Sequence, residues 1–165
     1  MQLFPMEPWV PYLTAIAAAG ATLTGLVFVA VSINLAAILK QSWLTDRAAE
    51  SLLQLVGSVL LATMPLIPSQ RPEFLGTEIL VISGLLWFFQ SYVQLRYLRS
   101  GVSHPIHWRL VRVVQTQLAY IPFFVGGILL LGRSPAGPYW MVPGLIFSLL
   151  AGVANAWVLL VEILR

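Results

Sequence analysis

The sequence predicts an all-α membrane protein: a bundle of five transmembrane helices with its N-terminus outside and its C-terminus in the cytoplasm. Composition is the first reason. Of 165 residues, 59% are hydrophobic and 9% charged, whereas a soluble domain carries about a quarter charged residues. The second is length: the apolar stretches each approach or exceed the roughly 20 residues that a spanning helix needs, and together they use almost the whole chain. The third is the placement of basic residues. With five spans the loops alternate sides, and Lys40, Arg47, Arg96, Arg99, Arg109, Arg112 and Arg165 fall on one side, Arg71 and Arg133 on the other. Acidic residues divide evenly, so the basic excess marks the cytoplasmic face.

The start, MQLFPMEPWVPYL, has no positive n-region and carries Glu7, so it reads as retained and not as a cleaved signal. Trp9 and Tyr12 suit the headgroup level. Span 1 is predicted over 10–39, longer than a hydrocarbon core requires, and ends at Lys40. Thr45 and Asp46 are placed as the N-cap of span 2, which covers 45–67 and stops at Pro65 and Pro68. Span 3 covers 76–98 and closes with Arg96 and Arg99. Span 4 covers 108–131 with Pro122 as a kink, and span 5 covers 139–164. The whole, 1–165, is one bundle domain without internal repeats, which disfavours a transporter built on inverted halves.

Polar residues inside spans are the informative ones, because an unpartnered amide or carboxyl in hydrocarbon costs several kcal/mol. On this topology Asn34, Glu50, Gln54, Gln90, Gln94, Arg112, Gln115, Gln117, Asn155 and Glu162 lie in the cytoplasmic half. Spacings of three and four place many on shared faces. Span 2 aligns Arg47, Glu50, Gln54 and Ser58; span 3 aligns Ser83, Gln90, Gln94 and Tyr97; span 4 aligns Arg112, Gln115, Ala119 and Gly126; span 5 aligns Gly144, Ser148, Ala151, Asn155 and Glu162. Such faces turn to the bundle interior or to water. They form either a closed network that fixes packing or a hydrated vestibule, with Arg112 and Glu162 at similar depth as a candidate ion pair. Gln117 and Asn34 lie opposite the main stripes of their helices, a position that suits a neighbouring subunit.

Span 1 carries a stripe of small residues that includes Ala18, Ala21 and Gly25, and span 5 carries Gly144, Ser148 and Ala151. Small faces let helices approach closely in lipid, within one chain or between subunits. The aromatic residues of spans 3 and 4 read as packing and lipid-facing groups.

Several chemistries are excluded or weak. There is no cysteine, hence no disulfide, thiol nucleophile or Cys-based metal centre. His104 and His107 form HPIH in a turn, without further ligands, so no metal site and no cofactor is assigned. No Ser-His-Asp grouping, HExxH or phosphate-binding glycine loop occurs, and the chain is not expected to be an enzyme. The basic balance sits in loops, so nucleic acid is not an expected partner. The expected partners are the lipid bilayer, further copies of the chain and possible other membrane subunits. The setting is the cell membrane, in particular the cytoplasmic membrane of a bacterium. These observations imply a homo-oligomeric channel or pore-like protein, or a non-catalytic scaffold or accessory subunit of a larger membrane complex.

Overall fold

A computed structural model of the chain describes residues 6–99 and 106–163. Six α-helices follow one another: α1 (Val10–Ile33), α2 (Leu35–Ile38), α3 (Ser42–Thr63), α4 (Pro72–Arg99), α5 (Ile106–Leu131) and α6 (Gly137–Ile163), with no strand among the described residues. Five of them are long and apolar enough to cross a membrane. At about 1.5 Å per residue they measure roughly 33–42 Å, against a hydrocarbon core of about 30 Å. Helices are the natural form for such segments, since each satisfies its own backbone hydrogen bonds. Prolines mark several ends: Pro72 opens α4 and Pro138 lies in the first turn of α6, positions where a missing N–H costs nothing.

Two sequence expectations are corrected here. Span 1 does not run unbroken to residue 39, because the helix is interrupted at Asn34 (φ −100°, ψ 12°). The Asn34 side chain donates to the carbonyl of Ala30 at 2.8 Å, and its backbone N–H reaches the same oxygen at 3.3 Å. A side chain competing for its own helix's carbonyl is a known cause of such breaks. Thr45 and Asp46 do not cap α3 either. That helix begins at Ser42 after an extended Gln41, and the Thr45 hydroxyl instead donates back to Ile38 O at 3.3 Å, tying α2 to α3.

At the opposite end, Ser69 (φ 59°) and Arg133 (φ 56°) adopt left-handed backbone. Around Arg133 the N–H of Ser134 bonds Leu129 O at 2.8 Å and that of Arg133 bonds Leu130 O at 3.0 Å, a Schellman closure of α5. Arg133 also forms an ion pair with Glu73 at the start of α4.

Helices α3, α4, α5 and α6 form a ring in which each packs on the next and α6 returns to α3, while α1 lies outside it, mainly against α3. Only 6% of the apolar window of α1 is buried, against 33–50% for the other four. Close backbone approach fixes the α4–α5 seam. A Cβ on Gly76 would stand 2.8 Å from Gly127 O and 2.8 Å from Leu131 N, so only glycine fits. The core nearest Arg71 and Arg133 is apolar, built from Leu13, Leu61, Leu75, Ile79, Phe123, Leu130, Met141 and Leu145.

Candidate functional site: a polar column inside the ring

The rest of the ring interior is polar. Ser58, Gln54, Glu50 and Arg47 come from α3, Ser83, Gln90 and Gln94 from α4, Arg112 and Thr116 from α5, and Ser148 and Asn155 from α6. All are buried except Arg47, which is half-buried. Helical period places each set along one side of its helix, so the four sides together form a column.

The antiparallel register arranges the column in levels. Asp46 meets Arg96 at 3.1 Å, and Gly57 faces Leu86; between these points Glu50 is level with Gln94 and Gln54 with Gln90. Nearest the Arg-rich end, Arg47 Nη1 donates to Asn155 Oδ1 at 2.8 Å. The next level holds the central pair: Arg112 Nε donates to Glu50 Oε2 at 2.6 Å, with both residues almost wholly buried. Gln94 Nε2 donates to Thr116 Oγ1 at 2.5 Å, and Thr116 Oγ1 donates to Arg112 O at 3.2 Å. Ser51 Oγ donates to Gly152 O at 2.8 Å, holding α3 to α6. Glu50 lies about 12 Å along α3 from Ser42 at 1.5 Å per residue, well inside the bundle.

In this column Glu50 Oε1, Gln54 Nε2 and Gln90 Oε1 have no hydrogen-bond partner among the described residues. Their residues are at most 1% exposed. Such groups are rare in native proteins and costly to strand. Tyr120 is buried in the same interior, and beyond it the apolar core closes the column.

The chain matches no family model, no curated protein and no solved structure. The residues themselves therefore carry the functional reading.

The structure brings together Glu50, Gln54, Gln90, Gln94, Arg112 and Asn155 from the sequence-predicted layer. It leaves Asn34 out, half-buried and bonded to its own helix. Gln115 is half-buried beside the column, at a cleft of about 60 Å³ between α5 and α6 that Arg47, Arg112 and Asn155 also line. Gln117 accepts a bond from Trp87 Nε1 at 3.2 Å on the α4–α5 surface, within the chain. Arg112 Nε donates to the carboxylate of Glu50, a contact that the expected Arg112–Glu162 pair did not include. Glu162's side chain, His104 and His107 lie outside the described residues.

Thr116, Asp46, Ser51 and Tyr120 were missed. The signal was available for Thr116, since 112, 116, 119 and 123 share a helical side as closely as 112, 115 and 119 do. Gly144, Ser148 and Ala151 pack inside the ring, with a Cβ on Gly144 only 2.9 Å from the Phe123 ring. Ala18, Ala21 and Gly25 do not: all three are exposed, and a Cβ on Gly25 would meet nothing within 4 Å.

Proposed function

We propose that the chain is a channel-like protein of the cell membrane, in which the polar column admits protons or small cations from the Arg-rich end to the level of Gln54 and Gln90. The apolar core at the other end shuts it in the described state. The observation that carries this reading is the run of unpartnered atoms on Glu50, Gln54 and Gln90 at adjacent levels. A purely structural network would have satisfied them, since each stranded group costs about 1–3 kcal/mol, whereas a path for a hydrated proton or ion needs groups free to change partners.

The test is flux. Gln54→Leu and Gln90→Leu remove polar atoms without altering net charge, and in proteoliposomes each is expected to cut proton or cation flux at least tenfold. Their thermal midpoints should stay level or rise, because stranded amides have been removed. Wild-type liposomes no leakier than protein-free ones would remove the channel reading. A second reading, an accessory subunit of a larger complex, is favoured by the complete burial of Glu50.

The orientation and assembly complete the proposal. The Arg-rich end is cytoplasmic by the basic-residue rule. Cysteines placed singly at exposed Ser69 and Lys40 should therefore react from opposite sides, Ser69→Cys with an impermeant reagent added outside. Labelling of both from one side would overturn the topology. Self-association is assigned to the open face of α1, where the exposed Ala18, Ala21 and Gly25 would let a second helix approach closely. Gly25→Leu should shift native mass towards the monomer with an unchanged thermal midpoint, as its side chain meets open space within the chain. An unaltered oligomer would show that α1 faces lipid.

A further inference from the structure

The seam between α4 and α5 carries a polar pair on its outer surface that the column does not use. Trp87 Nε1 donates to Gln117 Oε1 at 3.2 Å, and Trp87 is exposed. Gln117 Nε2 donates to nothing among the described residues. At 1.5 Å per residue Gln117 lies about 16 Å from the start of α5 and Trp87 about 22 Å from the start of α4, near the middle of a hydrocarbon core of about 30 Å. Tryptophan suits the headgroup level, and an amide N–H without an acceptor is costly in hydrocarbon. Lipid tails offer no such acceptor. The surface around the pair is open and apolar, with Phe88, Val114, Leu118 and Ile121 all exposed. Gly84 lies one turn from Trp87, and a Cβ there would meet nothing nearer than Phe124 Cε1 at 4.0 Å. Packing within the chain therefore does not require glycine here, while a helix from outside gains close approach.

We propose that the Trp87–Gln117 surface is a contact between two copies of the chain, with the two Gln117 amides paired across a two-fold axis along the membrane normal. Depth favours a second copy over an unrelated helix. Copies inserted in the same orientation hold each residue at the same depth, and in a two-fold contact a residue near the axis meets itself. A primary amide is suited to this because it carries both donors and an acceptor with two lone pairs. Gln117 Oε1 keeps a lone pair after accepting from Trp87, and Nε2 supplies the donor that the other copy's amide oxygen takes. Side-chain hydrogen bonds of this kind, beside small residues, hold helices together in lipid. The contact rests on the reading of the chain as a self-associating membrane bundle, but it uses a different face from α1, which packs mainly on α3.

The chain has no cysteine, so single cysteines report the contact in the full-length protein in liposomes treated with a short bifunctional thiol reagent. Gln117→Cys should give a covalent dimer. Val153→Cys, exposed on α6 and about 24 Å from the start of that helix, should stay monomeric. In a Gly25→Leu background, which removes the α1 contact, Gln117→Leu combined with Trp87→Phe deletes both polar groups and should weaken the dimer in detergent at least tenfold. The thermal midpoint should hold, because the lost bond lies on the surface. Cross-linking at Gln117→Cys no stronger than at Val153→Cys would overturn the contact, and Gly25→Cys then shows whether self-association through α1 stands without it. An unweakened dimer in the combined variant would overturn the contact as well. So would a Gln117→Cys chain in native membranes that links to a different protein and not to itself.

Discussion

Glu50→Gln lowers the unfolding free energy of the detergent-solubilised protein by about 3–5 kcal/mol, the range for removing one partner of a buried ion pair. The isosteric amide keeps the shape of the side chain but leaves the Arg112 guanidinium without the carboxylate that it meets at 2.6 Å. Both side chains are almost wholly buried, where a lost opposite charge is felt more strongly than in water. The pair itself is a different matter, since two charges withdrawn from water gain little over well-packed apolar groups of the same volume. Glu50→Leu combined with Arg112→Met should therefore recover most of the stability lost by either single change. Reversible chemical unfolding of the singles and the double checks both statements. A Glu50→Gln protein as stable as wild type would mean that water reaches this level and solvates Arg112.

Gly76→Val lowers stability by roughly 2–3 kcal/mol through overpacking, and Gly25→Val leaves the fold unchanged. At Gly76 the new carbon would meet backbone atoms of α5 at 2.8 Å. No rotamer change relieves a backbone contact, so α4 and α5 must separate along the seam that also aligns Gln94 with Thr116. At Gly25 nothing lies within 4 Å. Thermal melts of the two variants in one detergent give the comparison. Equal losses at both positions would show that the α4–α5 contact is looser than described.

The five long helices were legible because hydrocarbon thickness imposes length and apolarity on each span independently of its neighbours. The buried faces of α3, α4 and α6 were legible for a similar reason: a polar residue in a span turns away from lipid whichever helix it meets. Pairing was not legible. Acids near the Arg-rich end occur on both α3 and α6, at Glu50 and Glu162, and helical period could not show that Glu50 reaches Arg112 across the ring. The small-residue stripe of α1 failed differently, since smallness permits close approach but does not say whether a partner is present. The break at Asn34 was hidden because asparagine in a helix is ordinary until its side chain claims the carbonyl four residues back.

The ring has a consequence for biosynthesis. Its closing contacts join α3 to α6 across 101 and 108 residues of chain, and Arg112 follows Glu50 by 62 residues. At a synthesis rate of about 5–20 residues per second, α3 waits on the order of 3–12 s for the guanidinium that meets its carboxylate, and longer for α6. During that interval Glu50 must be held by water, by a proton or by the insertion machinery. A nascent chain arrested before α5 carries Glu50 without the Arg112 guanidinium that it meets in the finished ring.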